Sequence, residues 1–156
     1  QLETSGYDWN IQYTHDIVTV SLDTTFLKEF KKDDKSYDGW IDGNQGGYSK
    51  IKSYLSVNVN LTEDISALYN MEYIRGMQGE MSIGKDEILR YKTDDIFYHN
   101  LSATYHLNGN WKVAGGIKNL LNTEPEEVPN GNDMNTVPNI YDVIGRTYFV
   151  NTTYKF

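Results

Sequence analysis

The side chains with the most chemical potential in this chain are three histidines, His15, His99 and His106, together with many serines. Their placement argues against catalysis. His15 stands at a predicted turn, while His99 and His106 have opposite parity along one strand, so they cannot hold a metal jointly. No serine sits in a nucleophile-elbow pattern. There are no cysteines, which rules out a disulfide scaffold and a thiolate metal site. The run Tyr37-Asp38-Gly39-Trp40-Ile41-Asp42-Gly43-Asn44 invites a calcium reading. With Asp38 as the first ligand, however, Trp40 falls at the third position and Ser49 at the twelfth, where a bidentate Glu is needed. Its Asp-Gly and Gly-Asn pairs are turn residues. No catalytic residue, metal or cofactor is expected. Binding is the remaining chemistry: Tyr37, Trp40 and Tyr48 have flat faces suited to a sugar or an aromatic ligand, against the alternative of packing within their loop.

The elements that position these residues are strands. Ile51, Ser53, Leu55, Val57, Val59 and Leu61 share one face; Lys52, Tyr54, Ser56, Asn58 and Asn60 share the other. After a polar turn, Thr62 to Asp64, a second face follows in Ile65, Ala67, Tyr69, Met71 and Tyr73, opposed by Ser66, Asn70 and Glu72. The unit recurs. Tyr7, Trp9, Ile11 and Tyr13 lead through His15-Asp16 to Val18, Val20, Leu22, Thr24 and Phe26. Phe97, His99, Leu101, Ala103, Tyr105 and Leu107 lead through Asn108-Gly109-Asn110, a strong hairpin signal, to Trp111, Val113, Gly115 and Ile117. Tyr148, Val150, Thr152, Tyr154 and Phe156 end the chain.

Each full run is about 11 residues, the length of a tilted strand that crosses a bilayer. Composition agrees. Only 38% of the 156 residues are hydrophobic, yet 13 are Tyr, and the aromatic and β-branched residues recur at strand spacing, which argues against disorder. No apolar run approaches the roughly 20 residues of a membrane helix, whereas a membrane barrel needs apolar residues only at alternate positions. The net charge of -8, without a basic stripe, argues against nucleic acid. Short turns alternate with long polar segments, roughly 29–47, 76–92 and 122–144, as short periplasmic turns alternate with long external loops. Aromatic residues Tyr7, Tyr73, Trp111, Tyr148 and Phe156 sit near strand ends on the apolar face, like an interfacial girdle. A soluble sandwich or lipocalin-like barrel is the rival reading, disfavoured by the turn asymmetry and the polar second face. The expected fold is all-β, an antiparallel transmembrane β-barrel, partial, with about seven strands. Single-chain bacterial barrels have an even number of strands, at least about 8. Residues 1–156 are therefore expected to be part of a larger barrel, and any signal peptide is expected to lie ahead of Gln1.

The segment Gly116 to Pro125 (GIKNLLNTEP) and the segment Tyr141 to Phe156 (YDVIGRTYFVNTTYKF) resemble the end of TonB-dependent outer-membrane receptors. The matching residues are Lys118, Asn119, Leu120, Leu121, Asn122, Pro125, Tyr141, Gly145, Arg146 and Phe156, and they cover roughly the last forty residues. The resemblance implies the C-terminal portion of a barrel of about 22 strands in a Gram-negative outer membrane. The plug domain and remaining strands then lie outside this chain. Implied partners are those absent parts, TonB, the barrel-assembly machinery, outer-membrane lipids and a scarce extracellular ligand imported with TonB-supplied energy. Ferric-siderophore, oligosaccharide and similar cargo stay open, as do a passive porin-like barrel, a structural or adhesin barrel and an outer-membrane enzyme.

Parity then places Lys52, Tyr54, Glu72, Tyr98 and Asn100 on the lumenal wall near the external mouth, as ligand contacts or as plain wall and plug contacts. The segment 122–144 carries Glu124, Glu126, Glu127, Asp133 and Asp142 without Lys or Arg. It can repel anions or bind cations that bridge lipopolysaccharide, and a solvated external loop is the simpler expectation. In the middle loop Lys85, Arg90 and Lys92 accompany Asp86 and Glu87, so no strongly cationic pocket for an anionic siderophore is visible. The resemblance also implies that Tyr154 and Phe156 contribute to the barrel-assembly signal, besides serving as girdle aromatics. Deleting Phe156 should lower the amount of heat-modifiable, assembled barrel in outer-membrane fractions. Unchanged levels would remove the targeting role.

Overall fold

The computed structural model describes residues 1–42, 46–129 and 135–156; the expected turn pair Gly43-Asn44 and the acidic Asp133 lie outside them. In chain order the strands are β1 (Leu2–His15), β2 (Val18–Lys32), β3 (Lys35–Ser36), β4 (Trp40–Asp42), β5 (Gly46–Tyr48), β6 (Ile51–Asn60) and β7 (Ile65–Ile74). They continue as β8 (Gln78–Ser82), β9 (Ile88–Lys92), β10 (Ile96–His106), β11 (Trp111–Lys118) and β12 (Thr147–Tyr154). The seven long ones form one antiparallel sheet in the order β1-β2-β6-β7-β10-β11-β12, with β3 added against β2. These are the strands that the alternation predicts. The sheet is not closed, since β1 and β12 stand at its two edges.

Polar side chains close the tight turns. Asn108 Oδ1 accepts the N–H groups of Asn110 (3.0 Å) and Trp111 (2.9 Å). Thr62 Oγ1 accepts those of Asp64 (3.2 Å) and Ile65 (3.0 Å). Asp16 takes the left-handed conformation (φ 49°) between β1 and β2.

The register turns the period-two pattern into continuous rows. Val18, Val59, Ala67, Ala103, Gly115 and Val150 are successive partners across six strands on the outer face. Aromatic pairs bound this band at both ends: Trp9–Phe26 (5.3 Å) and Tyr73–Phe97 (5.0 Å) toward the long loops, Trp111–Tyr154 (4.9 Å) and Tyr154–Phe156 (5.8 Å) toward the turns. Polar groups on this face meet one another. Thr24 Oγ1 and Ser53 Oγ are 2.9 Å apart, and Tyr69 Oη lies 2.7 Å from His99 Nδ1. The outward histidine is thereby accounted for as a hydrogen-bonded strand residue. On the inner face Gln12, Ser21, Ser56, Asn70 and Asn100 form one polar row, and Asn10, Asp23, Tyr54, Glu72 and Tyr98 form the next. Gly116 also faces inward. A Cβ there would meet Phe149 Cε1 at 2.9 Å, so the glycine is the bed on which that ring lies.

The segments 29–47 and 76–92 are not loops throughout. β2 runs on to Lys32, and β5-β4-β8-β9 form a second, four-stranded sheet in which β4 and β8 are parallel. Strands of three to five residues are too short to display a period, and Gly79, beneath the Tyr91 ring, interrupts the pattern further. Nor is 122–144 simply a solvated loop. Its Val128, Val137 and Tyr141 join Ile41 of the small sheet, Met77, and the ends of β7 and β10 (Ile74, Ile96, Tyr98) in a buried cluster. The apolar core thus sits at the loop end of the large sheet.

Two tyrosines in this region resist ionisation. Burial, with the neighbouring Asp42 and Tyr141, pushes Tyr91 up to about 12, and burial also raises Tyr141, whose hydroxyl donates to Thr93 Oγ1 at 3.1 Å. An unfolded tyrosine titrates near about 10. The stabilisation from keeping these rings neutral is therefore complete below that pH and is lost as pH rises through the folded value. Amide exchange should show the small sheet and the Val128, Ile140 and Tyr141 amides losing protection between pH 10 and about 12, before the seven long strands. Tyr91→Phe should flatten that pH dependence. Uniform loss across both sheets would contradict this.

Candidate ligand site on the inner wall

β6, β7 and β10 place Tyr54, Glu72 and Tyr98 side by side in one row, with Asn70 and Asn100 paired in the row below. A cavity of 620 Å³ opens over this patch; Lys118 lines one side, and Asp142 and Ile144 of the returning chain line another. Of the wall residues expected to face the lumen, Tyr54, Glu72, Tyr98 and Asn100 all line this one cavity, and Lys52 does not. Their roles differ. Tyr98 is only 4% exposed, and its Oη accepts the N–H of Asp142 at 3.1 Å, so it ties the wall to the returning chain. Asn100 Oδ1 accepts the N–H of Asn119 at 2.9 Å. Tyr54, 40% exposed, presents its ring to the open space beside Glu72.

In the sequence Asn70 is one of many alternating asparagines, and nothing there singles it out. Its Oδ1 is buried against the cavity with no hydrogen-bond partner among the described residues. An unmatched buried acceptor costs about 1–3 kcal/mol. Such an atom marks where a donor from outside is wanted.

The three loop aromatics do not act as one platform. Tyr37 and Tyr48 pack around Phe30, with ring centroids 6.4 Å and 4.2 Å from it, and Tyr37 is 8% exposed. Trp40 stands apart on a 680 Å³ groove with Arg90, Tyr91 and Lys92. Arg90 belongs to the segment of mixed sign, and pairing of β8 with β9 brings it beside Trp40. Among the described residues no group of three or more His, Asp or Glu side chains converges on a metal-sized space.

No family model matches this chain, and no curated protein matches it. Solved structures do. It superimposes on the ferric enterobactin receptor of Pseudomonas aeruginosa with a TM-score of 0.71 and 15% identity, over 98% of this chain and 22% of that one. The siderophore receptor PirA of Acinetobacter baumannii gives 0.71 at 12% identity, over 98% of this chain and 22% of the receptor. The ferric-catecholate import receptor Fiu of E. coli gives 0.63 at 17% identity, over 98% and 21%. The chain has the fold of a siderophore-receptor barrel. It spans about a fifth of the length of these receptors, and its unclosed sheet is one sector of such a barrel.

Within the receptor fold, the C-terminal motif residues act as pins. Asn119 is 1% exposed and left-handed (φ 50°), a conformation that asparagine tolerates better than most residues. Its Nδ2 donates to Thr123 O (2.9 Å), and its Oδ1 accepts the Thr123 N–H (2.7 Å). Asn122 (φ 55°) then accepts the Arg146 N–H at 3.1 Å, catching the returning chain one residue before β12. Gly145, at φ 78°, makes the bend. Asn119→Ala should lower barrel stability by about 3 kcal/mol, because two bonds and the tie to Asn100 are disturbed in a buried site. Asn122→Ala, losing one exposed bond, should cost about 1 kcal/mol. Urea midpoints of the refolded barrel measure both; equal midpoints would refute the pinning role.

Proposed function

We propose that residues 1–156 form the C-terminal portion of the barrel domain of a TonB-dependent outer-membrane receptor, and that this barrel imports a scarce extracellular ligand. The remaining strands and a plug would complete it, and TonB would supply the energy. The barrel-assembly machinery would read Tyr154 and Phe156. This is a transport role and not an enzymatic one. The observation that carries the reading is the two-faced, seven-stranded sheet, in a chain that superimposes on siderophore receptors over 98% of its residues. Those receptors bear names of ferric-catecholate and enterobactin recognition, which makes a ferric-siderophore the first cargo to test.

In this reading Tyr54, Glu72 and Asn70 contact the ligand, with Tyr98 and Asn100 holding their strands in place. Trp40 contributes at the external groove, and Tyr37 and Tyr48 support its loop through Phe30. Uptake of radiolabelled iron by cells that express the complete receptor tests this. Uptake should cease when TonB is removed, and Tyr54→Ala with Asn70→Ala should weaken siderophore binding roughly tenfold. Uptake that continues without TonB would replace active import with a passive channel.

A further inference from the structure

The three long connections, between β2 and β6, β7 and β10, and β11 and β12, each lean on the other two. Gly46 and Gly47 of β5, in the first, lie against the third. A Cβ on Gly47 would meet Ile140 Cγ1 at 2.9 Å and Met77 Sδ at 3.2 Å, and one on Gly46 would run into the Asn139 side-chain amide. Such an approach needs a residue without a side chain. The first and second connections are joined by the parallel pairing of β4 with β8, which the Gln78 N–H extends by donating to Gly39 O at 3.0 Å. The second and third meet at Thr93, which is buried. Its Oγ1 accepts the Met77 N–H at 2.9 Å and the Tyr141 hydroxyl at 3.1 Å. Beside it Glu126 Oε2 accepts the Asp94 N–H at 3.1 Å. The buried cluster draws on all three connections, through Ile41, through Met77, and through Val128, Val137 and Tyr141. Around Tyr141 the third connection reaches the wall. There Tyr98 Oη holds the Asp142 N–H, and Ile140, Asp142 and Ile144 line the cavity beside Tyr54 and Glu72.

We infer that the three connections form one cooperative body in which residues 135–144 are a clasped strap over the wall cavity, so that the cavity opens outward only when all three release together. A strap that lifted alone would take the Tyr141 hydroxyl from Thr93 and the Asp142 N–H from Tyr98, both at buried partners. It would also uncover the Gly47 backbone, which has no side chain of its own to close the gap left by Ile140. Packed junctions of this kind hold or release as units, because they do not deform continuously. The strap's bearing on a ligand rests on the import reading above, whereas the shared release follows from the contacts between the connections.

The test uses the complete receptor, with hydrogen exchange read by mass spectrometry on peptides that hold the bonded amides of Gly39, Thr93 and Tyr141, one from each connection. Gly47→Ala, in the first connection, should speed exchange roughly fivefold in all three peptides, and Tyr141→Phe, in the third, should do the same. The His106 amide, bonded to Asp64 O at the turn end, should not change. Acceleration confined to the connection that carries the substitution would overturn the proposal, as would a Tyr141 peptide indifferent to Gly47→Ala. On intact cells an impermeant maleimide should label Ser102→Cys, in the cavity, roughly fivefold faster when Gly47→Ala is added. An unchanged labelling rate would overturn the covering role. Heat-modifiable migration shows that each variant is assembled, and Tyr141→Phe, which keeps its ring and loses one bond, decides the matter where Gly47→Ala does not assemble. Siderophore uptake is measured alongside. A wild type without uptake defeats the import reading, whereas separate exchange of the three connections defeats only their acting as one body.

Discussion

A strand in hydrocarbon has no water to satisfy its peptide groups, so every N–H and C=O must find a neighbouring strand. In the membrane placement proposed above, that constraint organises this chain. It explains why the seven long strands pair in sequence order through antiparallel ladders, and why the turns at one end are short enough to leave no gap. It also bears on β1 and β12, which stand at the two edges of the sheet and, in the membrane placement proposed above, would each offer a row of unpaired backbone. Once the ladder fixes the pleat, side chains alternate along it. The outer face then takes Val, Leu and aromatic residues, and the inner face takes Asn, Ser and Tyr.

This dependence makes the large sheet legible in the amino-acid sequence alone. A ten-residue strand such as β6 repeats its period five times, and a single register slip would exchange Val57 and Val59 for Asn58 and Asn60. The signal is redundant, so it survives local noise. The small sheet carries no such redundancy. β4 and β5 have three residues each; they pair antiparallel with each other, and β4 is held to β8 by parallel pairing of Trp40 with Gln78, far apart in sequence. Their identity is set by the core beneath them, where Ile41 is fully buried, and not by their own pattern. The aromatic trio illustrates the same limit. Composition shows that Tyr37, Trp40 and Tyr48 are available, but only the tertiary fold separates Trp40 from the Phe30 cluster.

The candidate site divides along similar lines. Parity alone puts Tyr54, Glu72, Tyr98 and Asn100 on one wall, because facing inward is a property of the ladder. Which of them is available to a ligand depends on the chain that folds back over them. Tyr98 and Asn100 are engaged by Asp142 and Asn119, residues reached only through the connection after β11. Asn70 is left with an unmatched acceptor for the same reason: the returning segment bonds its neighbours on the wall and not this residue. No sequence pattern distinguishes it from Asn58 or Asn60.

The C-terminal motif takes on a physical meaning from this geometry. A chain that leaves the sheet at Lys118 must return to it at Thr147 in register. Two left-handed asparagines set that path, one reading the neighbouring strand through Asn100 and the other reading the approach of β12 through Arg146. Between them Tyr141 anchors the loop in the core through Thr93. The residues that carry the C-terminal resemblance are thus concentrated where the backbone must leave and rejoin the ladder. Tyr54 with Glu72 on the wall and Trp40 with Arg90 above it lie outside that motif, whereas its Lys118 and Gly145 meet the wall cavity at its side, so the segment that seats the final strand also bounds that space.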